Sequence, residues 1–325
     1  MEWRNGMRHF SYTLLAAFCF VTGAFAGDYP EREIRWVVPF GAGSVTDLTA
    51  RKLAEVLGQK LNQPVIIENK PGAGGVVGTK EVAIAKADGY TILYGSSGPL
   101  GILPALDPSK LSYDPVDGFD HIQGITRSSQ IIVARPDAPF NTISELVEYA
   151  KENPGKLNFG SPGVGTAQHL AGEVLKSATG TDIVHVPYTT GTNQMVDLAA
   201  GVIDLSFEYA AVVKPYVEDG KMKVLGTTST ERAPAFPDAQ TVVEAGHPNA
   251  VNFGWTIASL PKGAPDEVKA KLEKAFQETL HDEGIQAFFA ADSREALSDV
   301  NLSNAQEFVR SEIDKFSKVS ASVKQ

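Results

Sequence analysis

Residues 37–51, Val37-Val38-Pro39-Phe40-Gly41-Ala42-Gly43-Ser44-Val45-Thr46-Asp47 and on to Arg51, constrain the fold more than any other stretch. β-Formers from Ile34 to Val38 empty through a turn holding Gly41 and Gly43 into a segment whose Leu48, Leu53, Val56, Leu57 and Leu61 recur at helical spacing. Ser44, Thr46 and Asp47 are residue types that cap a helix start. The unit reads as strand, tight turn and helix. The first amides of such a helix have no partner within it and carry the positive end of its dipole, which suits a carboxylate or phosphate. An ordinary capped turn of an α/β sheet has the same appearance, and most such turns bind nothing.

The same alternation continues along the chain. Residues 64–68 and 90–94 are further apolar runs, bracketing a glycine-rich turn at residues 71–75 and a helix reaching about Lys86. This order predicts a mainly parallel sheet with helices on both faces. The third strand opens into Gly95-Ser96-Ser97-Gly98, at the carboxyl end of a strand, where open α/β sheets bind ligands. A second α/β series begins at Ile131, with a helix over 144–151 and a strand over 156–159. Gly160-Ser161-Pro162-Gly163-Val164-Gly165-Thr166 then leads into a helix, giving a second cluster of forward-pointing amides and hydroxyls. Strands are predicted over 182–188, 204–209, 222–226 and 255–258, with a polar turn at 189–193. The remainder reads as helical, with stripes of Leu272, Ala275, Phe276 and Leu280 and of Phe308, Ile313 and Phe316. Two such series and a returning C-terminal segment predict two lobes around a cleft closed by hinge motion. One lobe is expected over 27–127 with 250–325, the other over 128–249.

Residues 1–26 read as a secretory signal: Arg4 and Arg8 form a basic start, residues 14–21 an apolar core, and Ala24-Phe25-Ala26 a small-residue cleavage site. The apolar run is short of the roughly 20 residues that span a bilayer, so an exported, periplasmic protein without an anchor is expected. The single cysteine, Cys19, lies in this leader, which leaves the mature chain without disulfides or cysteine metal sites. Roughly 300 residues then remain, enough for one large or two medium domains. The net charge of −10 becomes one unit more negative once Glu2, Arg4 and Arg8 are removed, a balance that disfavours nucleic acid and anionic lipid.

Several motifs in the same order resemble one family. They are Val37-Val38-Pro39-Phe40 with its glycine turn and Thr46-Asp47, Glu68-Asn69-Lys70-Pro71-Gly72-Ala73-Gly74-Gly75, and Asp88-Gly89-Tyr90-Thr91-Ile92-Leu93. Gly160-Ser161-Pro162-Gly163 with Gly165-Thr166 and His169-Leu170, then His185-Val186-Pro187-Tyr188 and Glu244-Ala245-Gly246, complete the set. Together they span nearly the whole chain beyond the leader and resemble the Bug solute receptors, the periplasmic components of tripartite tricarboxylate transporters. The resemblance implies a two-lobe, type II periplasmic-binding fold that closes on a small organic acid, with transporter permease subunits as partners and no cofactor or metal; a monomer is expected. It implies that loop amides and hydroxyls hold the carboxylate, commonly through ordered waters. Carried onto this chain, those groups are Phe40, Gly41, Ala42, Gly43, Ser44 and Thr46 in the first loop, Ser96 and Ser97 after a first-lobe strand, and Ser161, Gly163, Gly165 and Thr166 in the second-lobe loop. Tyr188 and Thr192 flank the next turn. His169 is read first as a structural histidine, the alternative being a ring that holds a bridging water.

The departures from the family pattern bear on the ligand. Gly41 stands where proline is usual, Ser44 near a usual glycine, and Thr189 and Thr190 where many members have a basic residue and a glycine. Glu208-Tyr209 replaces an aspartate or small residue followed by asparagine. Glu208 could pair with a ligand amino group or be a salt-bridged or solvated residue, and Tyr209 could stack on an aromatic acid. The loops hold no obvious arginine, which favours a mono- or dicarboxylate over a tricarboxylate, and Phe40, Tyr188 and Tyr209 leave room for an aromatic dicarboxylate. Asp47 reads as a helix-start acid that fixes its loop, Trp36 and Trp255 as core, and the glycines of residues 71–75 as serving backbone geometry. Enzymatic readings fare poorly. No G-x-S-x-G or H-E-x-x-H motif is present, and Gly78-Thr79-Lys80 has the wrong order for a phosphate loop. A module that presents its liganded state to a signalling partner is the other class the pattern allows.

Overall fold

The computed structural model describes residues 29–189 and 191–323, together with Met1. The leader with Cys19, and Thr190, lie outside the described residues. In chain order the elements are β1 (Ile34–Val38), α1 (Val45–Leu61), β2 (Val65–Asn69), α2 (Val76–Ala83), β3 (Thr91–Ser96), α3 (Leu103–Leu106) and β4 (Phe119–Ser129). Next come β5 (Ile131–Ala134), α4 (Ile143–Glu152), β6 (Asn158–Ser161), α5 (Ala167–Thr179), β7 (Val184–Pro187), α6 (Gly191–Ala199), β8 (Leu205–Glu208), α7 (Ala210–Glu218) and β9 (Lys223–Thr227). The chain ends with β10 (Phe253–Pro261), α8 (Asp266–Leu280), α9 (Glu283–Ala291), β11 (Arg294–Ala296) and α10 (Ala305–Val323).

Two sheets form the cores of two lobes, with strand orders β11-β4-β10-β3-β1-β2 and β7-β6-β8-β5-β9. Ile34, Trp36, Val37 and Val38 are all buried, as expected of an interior strand covered on both faces. The stripe of α1 that meets the core is Ala50, Leu53, Ala54, Leu57 and Leu61. Leu48, assigned to that stripe by spacing, is instead 43% exposed, because the first turn of α1 faces the cleft.

The sheets are not mainly parallel. β1, β2 and β3 pair in parallel, as do β6, β7 and β8, but β10 is antiparallel to β3 and β4, and β5 is antiparallel to β8 and β9. The reason is topological. A chain that leaves a lobe and later returns must run in opposite directions on the two passages. β4 leads through Gln130 straight into β5, and β9 returns through residues 228–252 into β10. The passages lie side by side, Ser129 opposite Phe253 and Ile131 opposite Thr227. Between them Gln130 N donates to Thr228 Oγ1 (2.9 Å), Thr228 N to Gln130 O (2.9 Å), Asn252 N to Thr228 O (3.0 Å) and Asn252 Nδ2 to Gln130 Oε1 (3.0 Å). All three residues are buried, so this ladder ties the two crossovers together.

β4 has no counterpart in the sequence reading, since polar residues interrupt its pattern. They find partners inside: Asp120 accepts from the amides of Gly263 and Ala264 (2.8 and 2.9 Å), His121 Nδ1 lies 2.7 Å from Ser259 Oγ, and Gln123 Nε2 donates to Val300 O (2.9 Å), while Gln123 Oε1 is left without a partner among the described residues. The helical C-terminal reading also misses β11, three residues that pair with β4. Each lobe has its own apolar core. A further cluster joins Ala167, Leu170 and Val174 of α5 to Val37, Leu93, Leu100, Trp255 and Phe316, so an apolar seam runs between the lobes.

Candidate ligand-binding site

The carboxyl ends of the central strands and the starts of four helices surround a cavity of about 370 Å³ between the lobes. On the first lobe, Ser44 caps α1, its Oγ accepting from Asp47 N (3.3 Å) and lying 3.0 Å from Thr46 Oγ1. Asp47 in turn accepts from Gly43 N (2.9 Å) and Asn69 Nδ2 (2.9 Å) and pairs with Arg51 (3.0 Å), while Asn69 Nδ2 also reaches Phe40 O (3.0 Å). Burial would raise the Asp47 carboxyl, but the donors from Arg51, Gly43 and Asn69 outweigh it and hold it below the ordinary carboxylate range. Asp47 and Asn69 thus clamp the loop whose following amides, Val45 and Thr46, head the helix and line the cavity. Ser96, at the end of β3, also lines it, and its buried Oγ has no hydrogen-bond partner among the described residues.

On the second lobe Thr166 caps α5, accepting from His169 N (3.2 Å) and donating to Gly163 O (2.8 Å). The starts of α6, at Gly191 and Thr192, and of α7, after Tyr209, reach the same cavity. Glu208 ends β8 and is 3% exposed. Its Oε1 accepts from Gln168 Nε2 (3.0 Å) and Tyr209 N (2.9 Å), yet burial prevails and pushes the carboxyl up to about 7. Tyr209 is packed so tightly against the first lobe that a Cβ on Gly254 would collide with its hydroxyl.

Of the residues picked from sequence, Phe40, Gly41, Ala42, Gly43, Ser44, Thr46, Ser96, Ser97, Thr166, Thr192, Glu208 and Tyr209 line the cavity. Five stand behind it. Ser161 is buried, its Oγ 2.7 Å from His185 Nε2 and donating to Gly163 O (3.1 Å). His169 accepts from Gly165 N (3.2 Å) at Nδ1 and packs on His185 at 4.1 Å between ring centroids. Burial pushes both imidazoles down to about 4. Tyr188 donates to Asp197 Oδ2 (2.7 Å), and burial and that carboxylate push its phenol up to about 12. Gly163 and Gly165 form the lip of the second lobe. A Cβ at Gly74 would lie 2.5 Å from Val164 O, one at Gly98 3.1 Å from Gly165 O, and one at Gly163 3.4 Å from Gly74 Cα. The glycine turn at residues 71–75 therefore does more than serve backbone geometry. It is the opposite lip, and Pro71, Gly72, Gly74 and Gly75 line the cavity. Trp36 is fully buried, whereas Trp255, also buried, borders the cavity and donates to Glu312 Oε2 (2.8 Å).

The sequence reading missed Arg294. This residue opens β11, is 6% exposed and lines the cavity from the first lobe. It donates to Thr49 Oγ1, pairs with Asp292 and lies 4.5 Å over the ring of Phe288. Among the described residues, Glu208 and Arg294 are the two acidic or basic groups in the cavity lining. Among the same residues, no cluster of His, Cys, Asp and Glu could hold a metal ion, and no helix is long and apolar enough to cross a membrane.

Two α/β lobes, paired crossovers and a cavity ringed by helix starts define the class of two-lobe solute-binding proteins. Residues 49–324 match the family model described as tripartite tricarboxylate transporter family receptor, and the chain belongs to that family. It is 40% identical over 281 residues to a UPF0065 protein of Bordetella pertussis, covering 84% of this chain and 86% of that one. Among solved structures, the periplasmic binding protein BugD is 35% identical with a TM-score of 0.86, covering 91% of this chain and 99% of BugD. Rpa4515 of R. palustris with adipate is 29% identical with a TM-score of 0.87, covering 91% of this chain and 99% of Rpa4515. These likenesses bear out the resemblance carried by the motifs and the two-lobe periplasmic-binding fold.

Proposed function

We propose that this chain is an exported receptor that captures a small mono- or dicarboxylate between its lobes and delivers it to the membrane permease of a tripartite tricarboxylate transporter. The observation that carries this reading is the convergence of four helix starts, α1 and α5 to α7, on one cavity in a protein of net charge −10. Unpaired amides and dipole ends favour an anion there despite the acidic surface. The unpartnered Ser96 hydroxyl adds a donor suited to a carboxylate oxygen. The likeness to an adipate-bound relative supports the same ligand class. Phe40, Trp255 and Tyr216 in the lining leave room for an aromatic acid.

A thermal-shift screen of protein refolded to strip carried-over ligand tests this. Aliphatic and aromatic mono- and dicarboxylates, citrate and acidic amino acids are compared. At about a thousand times its dissociation constant a ligand adds roughly 4 kcal/mol and moves the midpoint by several degrees. A selective shift with one acid class supports the receptor reading. No shift with any acid, from demonstrably refolded protein, refutes it.

A further inference from the structure

Arg294 is not explained by packing alone. The residue before it, Ser293, holds a left-handed φ of 56°, and its Oγ accepts from Ala235 N (3.0 Å) in the segment that returns from the second lobe. That tie and the pairing of β11 with β4 fix where the guanidinium sits. Phe288 and Phe289 pack against it, with ring centroids 4.5 and 5.3 Å away. Asp292 and Thr49 each take up one terminal nitrogen, while Nε has no hydrogen-bond partner among the described residues. A buried guanidinium with an unsatisfied N–H is costly unless something completes it. The groups around it in the cavity lining are polar as well: Thr49, Tyr94, Thr126 and Thr256, with Thr126 and Thr256 hydroxyls 2.9 Å apart. The first-lobe floor is therefore a second polar patch of the lining, reached through Thr49 one turn along α1 from its starting amides.

We propose that Arg294 reads the second acid group of the ligand, so that the substrate class is a dicarboxylate with one carboxylate on the helix-start amides and the other on this floor. This rests on the receptor reading above and narrows it. The planar fork of arginine matches a carboxylate in two parallel bonds, and its delocalised charge tolerates the surrounding aromatic rings. A one-acid analogue of the same length leaves the floor donors without a partner, which is the source of discrimination.

Calorimetry on refolded protein tests the assignment with succinate, adipate, suberate and terephthalate, each against its one-acid analogue butyrate, hexanoate, octanoate or benzoate. For whichever pair binds best, the diacid is expected to bind about 10- to 100-fold tighter, the worth of a hydrogen bond to a charged group. Arg294→Met combined with Asp292→Asn, which removes the pair without stranding a charge, should erase that preference by weakening the diacid far more than its one-acid analogue. Arg294→Lys, which keeps the charge and the Asp292 partner, should lose part of the preference, and it serves if the double variant does not fold. Equal weakening of both acids, or an undiminished diacid preference in both variants, overturns the assignment. Wild-type protein that binds the one-acid analogue as tightly as the diacid overturns it while leaving the receptor reading intact. Wild-type protein that binds no acid overturns both.

Discussion

Closure of the lobes can be separated from the stability of each lobe by one pair of substitutions. Gly74 has a φ of +64°, and a Cβ there would lie 2.5 Å from the Val164 carbonyl oxygen of the opposite lip. Gly246 has a φ of +85° with nothing within 4 Å of its would-be Cβ. Alanine at either site meets the left-handed backbone, which costs about 1–2 kcal/mol whether the cleft is open or closed. Only at Gly74 does the methyl also collide across the cleft. Relieving a backbone contact of that kind costs about 1–3 kcal/mol, and because an open cleft lacks the contact, the cost falls on ligand binding. Gly74→Ala should therefore weaken binding about 5- to 150-fold while lowering the unfolding midpoint of ligand-free protein no more than Gly246→Ala does. Gly246→Ala should leave the dissociation constant unchanged. Calorimetry with a bound acid, alongside thermal unfolding without one, reads both. If the two variants alter affinity by the same factor, or if Gly74→Ala binds like wild type, the lips do not have to meet for binding and the reasoning fails.

Glu208→Gln tests the buried carboxyl. Its pKa of about 7 in the folded chain lies above the ordinary value of 4.5, so the folded state holds the proton more tightly and the wild type loses stability as pH rises from about 4.5 through 7. The variant should gain up to about 3 kcal/mol over wild type at pH 8 and little at pH 4 by denaturant unfolding; a gap of equal size at both pH values would count against it. Asp47 has the opposite sign. Held below its ordinary value, it stabilises above the unfolded pKa and loses that contribution as pH falls through the folded one. Asp47→Ala should cost about 1–3 kcal/mol at pH 7, from the Gly43 and Asn69 donors left without their acceptor, progressively less in acid, and weaken acid binding because the first loop loses its clamp; unaltered affinity would show that the clamp is not needed. In the crossover ladder, Thr228→Val removes the hydroxyl that accepts from Gln130 N and lies 2.8 Å from Asn252 O. About 1–3 kcal/mol should be lost in urea unfolding, and a neutral substitution would mean that the crossovers are held by strand pairing alone.

What the sequence makes legible is what is written in contiguous residues. The loop after β1 can be read because strand, glycine turn, cap and helix follow one another, and twelve of the seventeen residues chosen from such loops line the cavity. What cannot be read is set by partners distant in the chain. β4 hides because Asp120, His121 and Gln123 break its pattern, yet each bonds a group from the returning C-terminal segment. Leu48 matches the helical stripe by spacing, and only the placement of α1 turns it toward the cleft. Arg294 lies in no motif. Its neighbours Thr49 and Tyr94 come from the other end of the chain, so no local pattern marks it as part of the cavity.

The distribution of charge across the cleft has a consequence for release. On the proposed reading, helix-start amides hold the anion through many donors, each worth about 0.5–1.5 kcal/mol net, and they come from both lobes. Separation of the lips therefore parts the start of α1 from those of α5, α6 and α7 and opens the excluded environment that strengthens these donors. Glu208 belongs to the second lobe and Arg294 to the first, so the cavity's two charges part with the lobes as well. A carboxylate on Arg294 would keep that contact in the open state, whereas one held by amides divided between the lobes is bound tightly only when they close. A partner that stabilises the open form then lowers affinity without touching the ligand, since it can shift the equilibrium by as much as it prefers one state over the other. Both crossovers run through the ladder of Gln130, Thr228 and Asn252, which opening of the lobes on this reading would have to accommodate.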